Sequence, residues 1–191
     1  MKEIVCQHCG EPFPVGLPEI INVSADAELK ASVLSGSIFL EECPHCGTRQ
    51  VLGGPLVYMD PEEHLLVFLT DKPLSLEDTQ GYTARLVSKT GDLIEKVKIF
   101  DVGLDDVAVE MCKYVMRQEM GRDADFKFLK MDGADNDLVF TYPEKGRMEM
   151  MAVGFNVYED CRGIISRNPV MASRAAGLVK VDADWISSFF A

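Results

Sequence analysis

Six cysteines and three histidines carry most of the chemistry this sequence offers. Four of the cysteines fall in two matched turns, Cys6-Gln7-His8-Cys9-Gly10 and Cys43-Pro44-His45-Cys46-Gly47. Two residues between cysteines let a tight turn aim both sulfurs at one point. The following glycine supplies the positive φ with which such a turn closes, and Pro44 pre-sets φ in the second turn. Four convergent thiolates suit a tetrahedral metal, and the spacing predicts a closed Zn²⁺ site with Cys6, Cys9, Cys43 and Cys46 as ligands. Iron held by the same four sulfurs is the rival metal. A disulfide framework requires an oxidising compartment, for which the chain gives no sign. A thioredoxin-like redox pair would use one such turn, not two. His8 and His45 lie between ligands and are expected to point outward.

A site with four thiolates leaves no open position for water, so the zinc is expected to be structural rather than catalytic. Other catalytic constellations are sparse. His64 is the one histidine outside the turns, at the start of a predicted strand, and reads as a surface residue. Cys112 sits on the apolar stripe of a helix and reads as a small hydrophobe. Cys161, beside Arg162, is the better candidate for a lowered thiol pKa. Asp106, Glu110, Lys113 and Arg117 share one helix face. The plain expectation for them is a solvated face laced by adjacent opposite charges, and the sharper one is a polar contact surface for a partner or for the tail. Asp132, Asp135 and Asp137 crowd one loop but lack the glutamate that ends an EF-hand, so they read as a hairpin turn. Met148, Met150 and Met151 read as core filler. No glycine-rich phosphate loop follows any strand.

The elements that must hold these groups follow from pattern. A strand at 2–5 enters the first turn and another is expected at 19–23. Ser24 or Asp26 caps a helix over 26–35 with Leu29, Val33 and Leu34 inward, stopped by Gly36. Strand-like pieces at 37–42, 48–52 and 55–59 complete a ribbon with a strand–helix excursion between its knuckles. The nearly continuous apolar run 64–69 fits a buried strand, with another strand at 82–87. Asp92-Leu93-Ile94-Glu95 resembles a capping box opening a helix over 92–100. A longer helix spans 104–120, its stripe Leu104, Val107, Ala108, Met111, Cys112 and Val115 packing it into a hairpin with the first. Strands at 125–131, 138–142 and 146–153, a helix at 155–167, a loop from Pro169, a strand at 178–181 and an Asp182-capped helical turn carrying Trp185 and Phe189 finish the chain.

The 191 residues are 47% apolar and 26% charged, enough for a sizeable core, and the net charge is −12. That charge is spread as −5 over residues 1–60 and −7 over 61–191, before any thiolate is counted. It disfavours nucleic-acid backbones and favours solubility and basic partners, a protein partner among them. The N-terminus has no apolar h-region, and no run of eighteen apolar residues could span a membrane. Free thiols fit the reducing cytoplasm.

Residues 1–121 resemble the CpXC family of bacterial and archaeal proteins. Cys43-Pro44-His45-Cys46 matches its naming motif, whereas the first knuckle has Gln7 in place of proline. The stretches from Ile21-Asn22-Val23 to Leu34-Ser35-Gly36, and Leu93-Ile94-Glu95-Lys96 with Gly103-Leu104-Asp105-Asp106, resemble it too. The resemblance implies the ligands and the fold and supplies no reaction. The expected architecture is α+β. An N-terminal four-cysteine zinc ribbon with an inserted helix (1–59) is followed by antiparallel strands and a helical hairpin (60–121), then by a small C-terminal α+β region (122–191). The leading functional expectation is a non-enzymatic, zinc-stabilised binding or regulatory module. The rivals are an enzyme with a site between ribbon and C-terminal region, using scattered carboxylates, Arg85 and His64, and a nucleic-acid-associated zinc ribbon.

Overall fold

A computed structural model describes residues 2–24, 26–75 and 79–190. Each knuckle lies in its own antiparallel hairpin. The first pairs β1 (Lys2–Val5) with β2 (Pro12–Val15). The chain then enters β3 (Ile20–Asn22) and α1 (Ala27–Ser35). Asp26 caps α1 by accepting a hydrogen bond from the Leu29 amide at 2.9 Å, and Gly36 ends it at φ 78°. A single 3-10 turn (Ser37–Phe39) leads to the second hairpin, β4 (Leu40–Glu42) with β5 (Arg49–Val51).

Next come β6 (Leu56–Asp60), β7 (Leu65–Leu69) and β8 (Thr83–Val87), then α2 (Thr90–Asp101) and α3 (Asp106–Met120). The last part holds β9 (Lys127–Asp132), β10 (Asp137–Glu144) and β11 (Arg147–Val153), then α4 (Phe155–Ser166), α5 (Pro169–Ala175), β12 (Leu178–Val179) and α6 (Ala183–Ser187). The chain is thus α+β, as its pattern predicts.

The central sheet runs β12-β8-β7-β6-β3. It is mixed rather than antiparallel: β6 and β7 are antiparallel, whereas β3 with β6, β7 with β8, and β8 with β12 are parallel. The strand expected to close the ribbon at 55–59 therefore belongs to this sheet, as does the one from the excursion. Their apolar, β-branched residues find a larger buried face there than two short hairpins can offer. Ile21, Tyr58, Leu65, Val67 and Leu69 are fully buried under α1 and α2, with Val33, Leu93 and Val97 packed on them. The tail contributes the edge strand β12, so its backbone is part of the same sheet as residues 20–87.

A second core lies among α3, α4 and the meander β9-β10-β11, with Phe126, Phe128, Leu138, Phe140, Tyr158 and Met171 buried in it. The meander realises the expected three strands. Its methionines divide by face: Met151 packs on this core, but Met148 and Met150 are 63% and 67% exposed. The expectation of core filler fails for those two. They point away from the core on an edge strand, where alternation puts every second side chain on the outer face.

Two helix starts also differ from their sequence signals. α2 begins at Thr90, with Lys89 as a cap that offers no side-chain bond. Asp92 is drawn instead to Lys127 at 2.7 Å, and Glu95 turns inward. Pro169 opens no loop. It occupies the first turn of α5, where its missing N–H costs nothing, and Asn168 caps by accepting from the Met171 amide at 3.1 Å.

Candidate metal centre

The two knuckles repeat one backbone plan. The Cys6 amide donates to the Glu11 carbonyl at 3.0 Å and the Gly10 amide to the Cys6 carbonyl at 2.9 Å. In the second, the Cys43 amide donates to Thr48 at 3.0 Å and Gly47 to Cys43 at 2.9 Å. Gly10 and Gly47 have φ of 78° and 70°, the left-handed turn that glycine tolerates. These turns bring the four sulfurs within 4.8 Å of one another. Cys6 Sγ lies 3.7 Å from Cys46 Sγ, and Cys9 Sγ lies 3.7 Å from Cys43 Sγ. A tetrahedron with metal–sulfur bonds near 2.3 Å has edges of about 3.8 Å. The donor set and its spacing therefore fit a four-thiolate metal ion.

The environment prepares the sulfurs for a cation. Amide N–H groups of Cys9 and His8 face Cys6 Sγ and pull its thiol down to about 6, against the opposing effect of burial. The Thr48 hydroxyl and amide lower Cys46 in the same way. The Glu11 amide faces Cys9, but burial and the three other sulfurs outweigh it and push that thiol up to about 12. Four adjacent sulfurs cannot all carry charge unaided, and a divalent metal resolves the conflict. Cys6 and Cys43 are buried; Cys9 and Cys46 face solvent. His8 and His45 are exposed in the turns. Beneath the sulfurs, among the described residues, lie Phe13, Val15 and Leu52, with Ile4 and Leu17 packed against them.

The other candidates do not gather into one site. His64 sits in the β6–β7 turn at φ 49°, exposed, its ring 5.7 Å from that of Tyr82. Arg85 is buried against Asp106 and the Ala84 and Ala175 carbonyls, and among the described residues no bond joins the two side chains named for an enzyme site. Cys112 and Cys161, distant in sequence, meet between α3 and α4 in the second core. A thiol–thiol hydrogen bond lowers Cys161 and raises Cys112, and burial adds to the rise. The partner of Cys161 is thus Cys112, whereas Arg162 lies over the Tyr158 ring at 5.9 Å.

The face of α3 expected to be solvated is buried, and sequence reasoning missed it. Asp106, Glu110 and Lys113 are 1%, 5% and 4% exposed. Asp106 accepts hydrogen bonds from Arg85 Nε at 2.8 Å, Arg85 Nη2 at 2.9 Å and Lys96 Nζ at 2.7 Å. Lys113 bridges Glu95 at 2.6 Å and Glu110 at 3.1 Å, and Arg117 reaches Glu110 at 3.1 Å. The partners of this face are β8 and α2, and the tail is reached through two of their cations. Lys96 also donates to the Val181 carbonyl at 3.0 Å and Arg85 to that of Ala175 at 3.1 Å. The nearest signal in the sequence was the clean 3.6-residue spacing of acids and bases, which a solvated helix shares.

Above this network opens a cavity of about 550 Å³ between the end of β8, α2, α3, the start of the meander and residues 180–184. Burial would neutralise the carboxyl groups here, but the neighbouring cations win: Asp106 is held well below the usual carboxylate range and Glu110 below it. Burial would likewise discharge Lys113 and Lys127, yet the facing carboxylates raise both. Every shift locks charge in place. A general acid or base needs the opposite, a group poised near neutrality.

Among the described residues, no helix is long and apolar enough to cross a membrane. No curated protein and no solved structure matches this chain. The family model described as "CpXC protein" matches residues 4–113, from the first hairpin to the middle of α3. That stretch holds all four clustered cysteines and more than half of the sequence, and the chain belongs to the CpXC family.

Proposed function

We propose that this protein is a zinc-stabilised, non-enzymatic binding module of the cytoplasm, its metal structural and its recognition surfaces elsewhere. The observation that carries the reading is the all-sulfur donor set: four thiols, two of them buried, whose mutual distances suit a closed tetrahedron. When bound, the ion would offset half of the thiolate charge and cross-link two hairpins that otherwise share a very small core. Cys6, Cys9, Cys43 and Cys46 would hold it, and the knuckle amides would offset the remaining negative charge. Zinc is favoured over iron because Cys9 and Cys46 face solvent, where a redox-inert ion has nothing to lose by oxidation.

The ion-paired cavity supports binding over acid–base catalysis, since its charges are fixed. Nucleic acid is disfavoured by the hairpins' own charge. Residues 1–15 and 39–52 carry Lys2 and Arg49 against Glu3, Glu11, Glu41 and Glu42, and Arg49 is paired with Glu42 at 3.2 Å. The reading of a closed site has a spectroscopic test. Cobalt(II) placed in the site is expected to show the visible bands of a tetrahedral thiolate complex, unchanged on adding azide or imidazole. Bands that shift with those ligands would reveal an open coordination position and contradict the structural role.

A further inference from the structure

The cavity between the family-matched part and the tail has an uneven charge that specifies a ligand. Its floor is the buried network. Three cations line it, Lys96, Lys113 and Arg117, with side chains 5–10% exposed, and two carboxylates, Glu95 and Glu110, both 6% exposed; the Arg85–Asp106 pair, outside the lining, cancels. The floor therefore carries one positive charge in excess. The next pair outward, Lys127 with Asp92 at 2.7 Å, cancels. The rim reverses sign. Exposed Asp123, Asp125 and Asp184, with half-buried Asp182, face exposed Lys89 and Lys180, leaving two negative charges in excess. A buried surplus charge in a low-dielectric floor is costly unless a counter-charge meets it. The volume lies within the range that small-molecule sites occupy.

We propose that this cavity binds a small ligand with one carboxylate and a surplus of positive charge, namely a basic amino acid, free or as the C-terminal residue of a peptide. The carboxylate descends to Lys113 and Arg117, where charge-assisted hydrogen bonds replace its water. The α-ammonium, or the amide in a peptide, and the basic side chain remain at the acidic rim. Arg117 suits this role because its side chain spends one bond among the described residues, to Glu110, and also lines an adjoining cavity of about 460 Å³ together with Asp123 and Asp184. The rim filters by sign, repelling acidic ligands that would otherwise reach the floor. The inference rests on the binding-module reading and names its ligand.

The test is calorimetric titration of the zinc-loaded full chain with L-arginine, the tripeptide Gly-Gly-Arg, agmatine and L-glutamate. Agmatine keeps the cation and lacks the carboxylate; glutamate has the wrong net charge. Binding of L-arginine or Gly-Gly-Arg is expected, the tighter of the two identifying the free or the peptide source. Agmatine and glutamate should bind at least about tenfold more weakly, the worth of one charge-assisted hydrogen bond. Arg117→Gln should weaken arginine binding by at least about tenfold. If that variant does not fold, Asp123→Asn with Asp184→Asn, both at exposed positions, should weaken arginine binding and narrow its preference over glutamate. No heat from either arginine ligand, agmatine binding as well as arginine, or variants that bind as the parent does would each overturn the proposal. Retention of zinc by a chain that binds none of these would refute the ligand and leave the structural metal standing, so the two failures are distinguishable.

Discussion

Removing the metal with a strong chelator, or replacing Cys43 with serine, is expected to unfold the two hairpins while the rest of the chain keeps its structure. Apparent zinc binding in small thiolate sites is worth about 10–16 kcal/mol. The hairpins have little to set against that loss: besides two ligands, their shared core buries Phe13, Val15 and Leu52. The central sheet and the α3–α4 core are separate clusters with their own buried side chains. Hydrogen exchange reads the result directly. Amides of Cys6, Gly10, Cys43 and Gly47, held by knuckle hydrogen bonds, should be protected with the metal bound and exchange freely without it. Those of β7 and α3 should stay protected. Phe39 and Leu52 mark where unfolding stops. Phe39 is fully buried in the central core, and the Leu52 carbonyl accepts from Thr90 Oγ1 at 2.7 Å at the start of α2. Unchanged exchange in the knuckles would mean that the metal does not hold them.

Asp106→Asn is the second change with a large expected effect. It leaves Arg85 and Lys96 buried, with their shared carboxylate gone. Breaking a buried ion pair in this way costs roughly 3–5 kcal/mol, because an uncompensated charge remains. The damage should spread to the tail, since the same two cations hold the Ala175 and Val181 carbonyls. A lower urea midpoint together with faster proteolysis between residues 175 and 181 is the expected signature. A variant as stable as the parent would show the network to be energetically idle. The pH dependence has a definite sign. Burial alone would raise Asp106 and Glu110, but Lys96 and Arg85 lower the first, and Lys113, Lys96 and Arg117 lower the second. A depressed folded-state pKa adds stability that is fully present above the unfolded carboxylate pKa of about 4 and is lost as pH falls below it. Acid unfolding of the parent should therefore be steep below about pH 4, and shallower in Asp106→Asn.

What could be read from the sequence was local. The knuckle spacing, the Asp26 and Asp182 caps, and Gly36 as a helix end each depend on a few adjacent residues, and each stands where the chain pattern puts it. The misreadings share a cause: a partner far along the chain. Asp92 looks like a cap until Lys127 arrives from β9. The charged face of α3 looks solvated until Arg85, Glu95, Lys96 and the tail close over it. Strands at 20–22 and 56–60 look like parts of a ribbon until parallel pairing joins them in the central sheet. Met148 and Met150 look like core because alternation alone does not say which face of an edge strand is covered. The cavity arises from the same long-range contacts, and no local motif announces it.

The central claim is a single structural zinc held by four thiolates. Elemental analysis of the purified chain tests it most directly. The account predicts about one zinc per chain, as one four-ligand site requires, and loss of that zinc in a Cys6→Ser, Cys43→Ser double variant. Protein whose knuckle amides stay protected from exchange with less than about a tenth of an equivalent of zinc, or with iron in its place, would contradict it.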